Sequence, residues 1–315
     1  MSSELDLITI GESLIELSTD TKLADADTLN KYYGGDTLAT AVAAQRMGSK
    51  VGYITKVGDD YFKEYLLESW QNEGLDISHA YVVPGYNGVY FVARPENESK
   101  QFSYYRKKTA AGTLNVNDID KEYILKSKAV YSSGITQSLS INAKEVVKEV
   151  FKIAKENNIL VSYDPNFTEE IWSVEEAREA LFEIIDYVDL LFINTTKNGK
   201  ELITIESING VIKYFWDKGV KIVVIKCSKE QGYYIGHDGE VVFVSFYVTN
   251  DLKDTTCAGD AFNGAYIHEI LNGASAVEAA KFAAIVAGLQ SQNIGAIKSI
   301  PYKESVYKHL KGQNE

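Results

Sequence analysis

The stretch DTTCAGDAF, residues 254–262, is the most informative part of the chain. It follows a strand-like run, Val241–Val248, and a helical pattern begins near Ala258. Small residues let backbone amides approach a ligand closely. The start of a helix adds unpaired N–H groups and the positive end of the helix dipole. The stretch therefore predicts a strand–loop–helix unit that can hold the negative charge of a phosphoryl group during transfer.

Asp260 falls in the first turn of the predicted helix. A carboxylate there can accept a proton from a substrate hydroxyl that enters the same site. The residues alone leave an alternative open, because Asp and Gly are common at ordinary helix starts. Asp260 is thus a candidate catalytic base.

Short apolar runs alternate with helical patterns along the rest of the chain. Runs of this kind are typical of strands covered on both faces. Their alternation with helices predicts an α/β fold with a mostly parallel sheet flanked by helices. The runs are Leu5–Ile10, Val51–Ile54, Ala129–Tyr131, Ile159–Tyr163, Val188–Ile193 and Ile222–Ile225.

Two segments break this alternation, residues 12–33 and 82–105. The second contains the strand-like runs Val89–Ala93 and Gln101–Tyr105, joined by a polar stretch as in a hairpin. We interpret both segments as a small β-sheet lid, with surface loops as the alternative. Residues 1–11, 34–81 and 106–315 then form the α/β domain that binds nucleotide and substrate.

The bulk composition narrows the class of partner. The formal net charge is −12, which disfavours binding to nucleic acid or to anionic lipid. Two cysteines and four scattered histidines suggest neither a disulfide framework nor a metal site. No signal-peptide pattern or membrane-spanning apolar run is present in the sequence. We therefore expect a cytoplasmic enzyme that acts on small molecules.

The stretch 254–260 resembles the C-terminal signature of the ribokinase-like carbohydrate kinases, and the likeness extends in order from about residue 6 to residue 301. GGDTL at 34–38, TKVGDD at 55–60 and the segment 295–301 are similar to other signatures of that family. The resemblance implies that Asp260 is the catalytic base and that the amides of Cys257, Ala258 and Gly259 form the anion hole. It also implies ATP and Mg²⁺ as cofactors, K⁺ as a further candidate, and a homodimer or higher homo-oligomer formed through the lid.

Within that family the chain is most similar to the 2-keto-3-deoxygluconate kinases. The resemblance implies a sugar-acid site, in which an arginine can hold a carboxylate through two parallel hydrogen bonds. Its residues are Gly34, Gly35, Asp36, Leu38, Tyr90, Tyr104, Arg106 and Asp260. The implied nucleotide-binding residues are Asp164, Asn166, Asn194, Lys226, Ser228, Gly232, Gly259 and Asn293, and no metal ligand is assigned with certainty.

Five positions depart from the family pattern: Ala39, Thr168, Lys197, Ser228 and Cys257. Thr168 replaces an expected arginine, which leaves Arg106 as the main support for an acidic sugar. Lys197 replaces an expected glutamate that helps to place magnesium. A thiol at a helix N-terminus should have a lowered pKa, so Cys257 is a candidate reactive cysteine, with a buried and inert cysteine as the alternative.

The sequence therefore predicts transfer of the ATP γ-phosphoryl group to a sugar hydroxyl, with 2-keto-3-deoxygluconate as the first candidate substrate. Fructose or another neutral sugar is the alternative within the same chemistry, and a nucleoside is a further one. A catalytically weak sugar- or nucleotide-binding protein on the same fold is the alternative of another class.

Overall fold

In the computed structural model, which describes residues 4–96, 98–194, 200–228, 230–247 and 251–312, nine strands form one sheet. In spatial order the strands are β13 (Glu240–Ser245), β12 (Gly232–His237), β11 (Ile222–Cys227), β10 (Leu190–Asn194), β9 (Leu160–Asp164), β8 (Ser127–Ser133), β1 (Leu5–Ile10), β4 (Val51–Gly58) and β5 (Ala80–Val83). The seven strands from β11 to β5 run parallel, and β12 and β13 add an antiparallel edge. This confirms the predicted mostly parallel sheet.

Helices cover both faces of this large sheet. One face packs on α1, α9 and α10 through residues such as Leu38, Phe262 and Ala280, and the other packs on α5, α6 and α8. Successive side chains of a strand point to opposite faces. Leu7 and Ile8 of β1 accordingly enter different cores. The helices are α1 (Asp36–Met47), α2 (Lys63–Asn72), α3 (Lys121–Ile124), α4 (Gly134–Ser138), α5 (Ile141–Glu156), α6 (Val174–Ile184), α7 (Lys200–Ile203), α8 (Ile208–Asp217), α9 (Ala258–Leu271), α10 (Ala276–Gln290) and α11 (Lys303–Gly312).

A second, small sheet contains β3 (Asn30–Gly34), β2 (Leu14–Thr19), β6 (Gly88–Ala93) and β7 (Gln101–Tyr105), in that order. The predicted hairpin is confirmed as the antiparallel pair β6–β7, whereas β2 and β6 run parallel. Val82 and Val83, which we expected in the lid, belong to β5 and pair with β4 of the large sheet. Because this parallel pairing joins two segments that are distant in the chain, local sequence does not reveal that the strand lies beside β4.

The contact between α1 and α9 brings two helix starts together. A Cβ atom at Gly264 would lie 2.2 Å from the carbonyl oxygen of Thr40, so only glycine permits this approach. Thr40 Oγ1 also donates a hydrogen bond to the carbonyl oxygen of Asp260, at 3.2 Å. Asp36 and Asp260, in the first turns of α1 and α9, therefore face a common space.

None of the helices in the described part of the chain combines the length and the apolar character that crossing a bilayer requires.

Candidate active site

A cavity of about 990 Å³ lies between the large sheet, the starts of α1 and α9, and the small sheet. Its size is at the upper end of ordinary ligand pockets. Asp36, Tyr90, Tyr104 and Arg106 line one part, and Asn194 and Ser228 line another. The residues of 257–260 lie along the same cavity. The structure therefore brings the expected substrate, nucleotide and transfer residues to one space.

Asp260 is 8% exposed and lines this cavity. Asn166 Nδ2 donates a hydrogen bond to Asp260 Oδ1 at 3.3 Å. Burial, followed by the negative charge of Asp36, raises the pKa of Asp260 to about 8, while the ammonium group of Lys226 opposes the rise. A carboxyl group with a pKa near the working pH suits a general base.

A second polar cluster lies beside the loop of residues 257–259. Lys226 Nζ, at the end of β11, lies 2.6 Å from Asp164 Oδ2, at the end of β9. Asn263 Nδ2 donates to the same Asp164 oxygen at 2.8 Å. A Cβ atom at Gly259 would lie 3.4 Å from Lys226 Nζ, so the ammonium group sits beside the loop. The carboxyl ends of parallel strands are where α/β folds place their ligands.

The loop before α9 has the backbone geometry of a tight turn. Cys257 caps the helix with a left-handed φ of 60°, and the Ala258 N–H donates to the Thr255 carbonyl oxygen at 3.1 Å. The helix begins at Ala258 as the sequence predicts. The first N–H groups of a helix have no partner within it, and this turn presents that end of α9 to the cavity.

The expectation of a low pKa for Cys257 is contradicted. Burial raises the pKa of the thiol well above its ordinary value, and the carboxylates of Asp260, Glu16 and Asp36 act in the same direction. Burial and the neighbouring carboxylates together outweigh the helix terminus, because both disfavour the thiolate form. The structure thus favours the alternative of an unreactive cysteine.

At the substrate end, Asp36 offers a hydrogen-bond acceptor to the cavity. Its Oδ2 atom is buried and has no hydrogen-bond partner among the described residues. Gly35, just before it, has a φ of 130°, and a Cβ atom there would lie 2.4 Å from the Glu12 carbonyl oxygen. The rings of Tyr90 and Tyr104 stack with centroids 5.8 Å apart. A sugar hydroxyl could donate to Asp36 beside this aromatic wall.

Arg106 has a partner that sequence reasoning missed. Its Nη2 atom lies 2.6 Å from Glu12 Oε2, and Thr109 Oγ1 donates to Glu12 Oε1 at 2.6 Å. Burial raises the pKa of Glu12, against the opposing charge of Arg106. Glu12 follows Gly11 directly after the end of β1. Its position at the end of a strand is the signal that could have identified it as a site residue.

An apolar slot forms the other end of the cavity. Tyr233 and Phe246 lie with ring centroids 4.9 Å apart, and Tyr247 packs so closely on Gly288 that a Cβ atom there would lie 2.7 Å from its ring. Ala284, Ala287 and Gly288 repeat at three- and four-residue spacings along α10. Sequence reasoning missed this slot, although the run of small residues on one helix face was a usable signal. A flat aromatic group such as a nucleotide base fits such walls.

Several expected site residues do not line the cavity. Leu38 and Ala39 are fully buried in the hydrophobic core around α1. Gly34 packs under the Tyr90 hydroxyl, and Gly232 packs against the Phe243 ring. Asn293 is exposed to solvent. Lys197 and Val248 lie outside the described residues.

Comparison with known proteins decides the family. The family model described as "pfkB family carbohydrate kinase" matches residues 4–303. This chain belongs to the pfkB family of carbohydrate kinases. The match covers the large sheet, the small sheet and the loop at 254–260, so the predicted ribokinase-like resemblance and the kinase activity are confirmed.

Two curated relatives of this carbohydrate kinase are kinases of deoxy sugar acids by name. The chain is 28% identical over 322 residues to 5-dehydro-2-deoxygluconokinase from Clostridium beijerinckii, covering 99% of this chain and 94% of that relative. It is 29% identical over 300 residues to 2-dehydro-3-deoxygluconokinase from Thermoproteus tenax, covering 92% and 90%. A solved structure of a putative ribokinase II from E. coli in complex with ATP and Mg²⁺ shares the fold, with a TM-score of 0.90, 24% identity and coverage of 99% of this chain and 100% of that one.

The oxygen donors near the transfer loop bear on how this kinase could accommodate magnesium. Asp164 Oδ1 accepts the Asn166 N–H at 2.9 Å, while its Oδ2 atom accepts from Lys226 and Asn263. Within the described ranges, no group of three or more His, Cys, Asp or Glu side chains could hold a metal ion. Magnesium usually keeps several waters and takes few protein ligands when it accompanies phosphates. These residues fit an ion carried mainly by phosphate oxygens and water, with Asp164 nearby.

Proposed function

We propose that this carbohydrate kinase transfers the γ-phosphoryl group of ATP, supplied with Mg²⁺, to a sugar hydroxyl, and that Asp260 is the base. The observation that carries the proposal is the position of Asp260. It lies at the first turn of α9, in the cavity that also contains Asp36 and the loop of residues 257–259.

Each of these residues has a separate role in the transfer. Asp36 accepts a hydrogen bond from one sugar hydroxyl, and Asp260 takes the proton of the hydroxyl that attacks phosphorus. As the new oxygen–phosphorus bond forms, the bond to the ADP oxygen breaks and charge moves onto ADP. The amides of Cys257 and Gly259 stabilise charge on the phosphoryl oxygens, and the Ala258 amide joins them when it exchanges its hydrogen bond to the Thr255 carbonyl oxygen for one to the phosphoryl group. Lys226, next to Gly259, adds a positive charge on the same side.

The first substrate class is a keto-deoxy sugar acid, 2-keto-3-deoxygluconate or a close relative. Arg106 lines the cavity with a side chain that is 11% exposed, so its charge is poorly screened by water. The raised pKa of Glu12 favours proton uptake there, which would release the Arg106 charge for a substrate carboxylate. The names of the two relatives agree with this class.

A neutral sugar such as fructose is the second candidate. Thr168 and Glu170 line the cavity where the family pattern predicts an arginine at 168, so no second cation is supplied from that segment. If Glu12 keeps its charge, the Arg106–Glu12 pair is neutral overall. A neutral sugar would then meet no uncompensated charge at that pair.

The test is ATP consumption against a panel of sugars and sugar acids, with the wild type and Asp260→Asn measured in parallel. The panel contains 2-keto-3-deoxygluconate, 5-keto-2-deoxygluconate, fructose and a nucleoside. We expect turnover of a keto-deoxy sugar acid and a loss of about 100- to 10,000-fold in kcat for Asp260→Asn. Binding of ATP by the variant should be retained. Absence of turnover on every panel member would favour a binding protein instead.

Arg106→Met separates the two substrate classes, with Lys107→Met as the neighbouring exposed control. For an acid substrate, the loss of the guanidinium should raise KM by about 10- to 100-fold, because a charge-assisted hydrogen bond is removed. Two results together would reject a sugar acid as the substrate: poor turnover of both acids by the wild type, and fructose turnover that survives in Arg106→Met. Asp260 would remain the proposed base.

We also propose a homo-oligomer formed through the small sheet. Tyr105 is 65% exposed and contacts Phe91 on the neighbouring strand, with ring centroids 5.6 Å apart. An exposed tyrosine that packs on a half-buried aromatic ring is a common component of interfaces. Sedimentation velocity of the wild type and of Tyr105→Glu tests it, since a monomeric wild type would reject the proposal.

A further inference from the structure

Three buried charged side chains and one half-buried lysine meet where the small sheet contacts the loop before α9. Arg94 Nη2 contacts Asp254 Oδ2 and lies 3.4 Å from Glu16 Oε1, while Lys100 Nζ lies 2.7 Å from Asp254 Oδ1. The side chains of Glu16 and Asp254 are 0% exposed, and that of Arg94 is 7% exposed. We call Glu16, Arg94, Lys100 and Asp254 the lid–loop cluster. Its two negative and two positive charges balance.

Three members of the lid–loop cluster come from the small sheet and one comes from the transfer loop. Glu16 lies in β2, Arg94 directly follows β6, and Lys100 directly precedes β7. The Arg94 N–H donates to the Thr19 carbonyl oxygen at 3.0 Å, which fixes its backbone to the sheet. Moving the small sheet away from the cavity would therefore remove both cations from Asp254 together.

Asp254 in turn shapes the loop that carries the anion hole. Its Oδ1 atom accepts hydrogen bonds from Thr256 N at 3.0 Å and from Thr256 Oγ1 at 2.6 Å. The next residue, Cys257, makes the left-handed turn into α9. The orientation of the Asp254 carboxylate thus determines the path of the backbone up to residues 257–259.

Glu16 ties the same sheet to the segment after α10. It accepts hydrogen bonds from the Tyr90 hydroxyl at 2.5 Å and from the Ala296 N–H at 3.2 Å. Arg94 Nε and Nη1 are buried with no hydrogen-bond partner within the described ranges, so the two carboxylates are what hold the guanidinium in this position. A buried charge that loses its partner costs several kcal/mol, which makes the cluster strongly dependent on its geometry.

We propose that Arg94 and Lys100 are positioning residues for phosphoryl transfer, which fix the loop of residues 257–259 through Asp254 when the small sheet covers the cavity. Neither side chain is placed at the reacting atoms. The cluster links closure of the small sheet to completion of the anion hole, so that the transfer machinery is complete only in the covered state. This inference rests on the proposed kinase reaction.

Hydrogen bonding and charge support this role. Against the effect of burial, the hydrogen bonds from Lys100 and Thr256 and the charge of Arg94 lower the pKa of Asp254 to about 2. Asp254 is therefore ionised throughout the pH range in which a kinase is assayed. Two cations are already present at this carboxylate, whereas K⁺ at the same loop stays an untested prediction of the family resemblance.

The test is steady-state kinetics of the full chain with Arg94→Met, Arg94→Lys, Arg94→Ala and Lys100→Met. Because small misplacements of reacting groups can cost about 100-fold in rate, we expect Arg94→Met to lower kcat by that order. KM for ATP should change by about twofold or less, since no nucleotide contact is removed. Arg94→Lys should recover part of the loss, and added guanidinium should raise kcat of Arg94→Ala.

The matched control is Lys22→Met. Lys22 pairs with Glu98 at 2.8 Å in the loops that connect strands of the same small sheet, but both side chains are 47% exposed and neither belongs to the cluster. We expect this variant to keep the wild-type kcat. Lys100 is 30% exposed, so Lys100→Met should fold even if Arg94→Met does not, and it should lower kcat about 10-fold.

Wild-type kcat in Lys100→Met and in any folded Arg94 variant would overturn the inference. An equal loss in Lys22→Met would also overturn it, because the effect would then belong to the sheet in general. Both results are distinguishable from failure of the proposed function, which shows as an inactive wild type or an active Asp260→Asn.

Discussion

Asp254, on the loop before α9, and Asp260, in the first turn of α9, lie six residues apart, are both buried, and have opposite pKa shifts. Asp254 faces Arg94 and Lys100 and stays ionised, whereas Asp260 faces Asp36 and Asp164 with Lys226 as the opposing charge. Two carboxyl groups whose environments push their pKa values apart are typical of divided roles. Burial raises the pKa of both carboxyl groups, so the difference between them comes from their charged neighbours. Those neighbours decide which carboxylate supports the loop and which is suited to accept a proton.

The largest effect on activity should come from Asp260→Asn, which removes the proposed base and also a source of instability. The folded pKa of about 8 lies above the unfolded value, so the unfolded state releases its proton first as pH rises. Stability is then lost between about pH 4 and pH 8. We expect the variant to gain about 2 kcal/mol in unfolding free energy at pH 7 and much less near pH 4.

Urea unfolding of the wild type and of Asp260→Asn at several pH values measures this gain. An equal stability difference at pH 4 and pH 7 would show that Asp260 is ionised in the folded state across that range. The contrast with Asp254 would then disappear.

Asp254→Asn should have the opposite effect on stability. It leaves Arg94 and Lys100 beside a neutral amide, and breaking a buried charge pair costs about 3–5 kcal/mol. Because the pKa of Asp254 is lowered to about 2, its stabilising contribution is complete above about pH 4 and is lost as pH falls through 2. Thermal unfolding at pH 7 checks the loss.

The control for Asp254→Asn is Asp251→Asn, because Asp251 lies on the same loop with a side chain that is 68% exposed. We expect a change within about 0.5 kcal/mol for that variant. Equal effects at 251 and 254 would mean that the lid–loop cluster contributes no special stability.

Lys226→Met should sharpen the comparison by making the surroundings of Asp260 more negative. Loss of the opposing cation should move the acidic limb of the kcat/KM profile upward by about one pH unit. Lys226→Arg keeps the charge and should keep the limb close to its wild-type position. Lys221→Met, on the exposed side chain just before β11, is the control.

A pH profile that is identical in Lys226→Met and the wild type would contradict the role of Lys226 as the charge that opposes the rise in the Asp260 pKa. The 2.6 Å contact of Lys226 with Asp164 would then be purely structural.

The smallest effect concerns Cys257, between the two aspartates. Its raised pKa predicts slow alkylation by iodoacetamide, and at about pH 9, where Asp260 is ionised, Asp260→Asn should speed the reaction about 10-fold or less by removing a neighbouring negative charge. Mass spectrometry of the labelled chain, with Cys257→Ser to assign the site, gives the rate. Rapid labelling of the wild type would instead support the hypothesis that Cys257 is a reactive thiol.

The elements that sequence predicted well are those whose signals are local. β1 and β7 have the predicted bounds, and α9 begins at Ala258 with Asp260 in its first turn. The hairpin β6–β7 was predicted because both strands are adjacent in the chain. By contrast, the predicted lid boundary at residue 82 divides β5, since its parallel partner β4 lies more than 20 residues away.

The charges of the site were less predictable than its residues. Glu12 meets Arg106 across 94 positions of the chain, and Asp254 meets Arg94 across 160, so neither pair leaves a local signature. The helix terminus alone predicts a low pKa for Cys257, and burial together with the carboxylates of Asp260, Glu16 and Asp36 reverses that prediction. Motifs specify which side chains are present, whereas the fold specifies their electrostatic neighbours.

Gly264 has a consequence for the regiochemistry of the reaction. Its missing side chain lets α9 rest on the carbonyl oxygen of Thr40, which joins the two helices into one rigid unit. Asp36 and Asp260 are carried by that unit, so the distance between the proposed hydroxyl acceptor and the proposed base is set by backbone contact rather than by the ligand. The choice of which sugar oxygen becomes phosphorylated thus depends on a buried residue that no substrate touches.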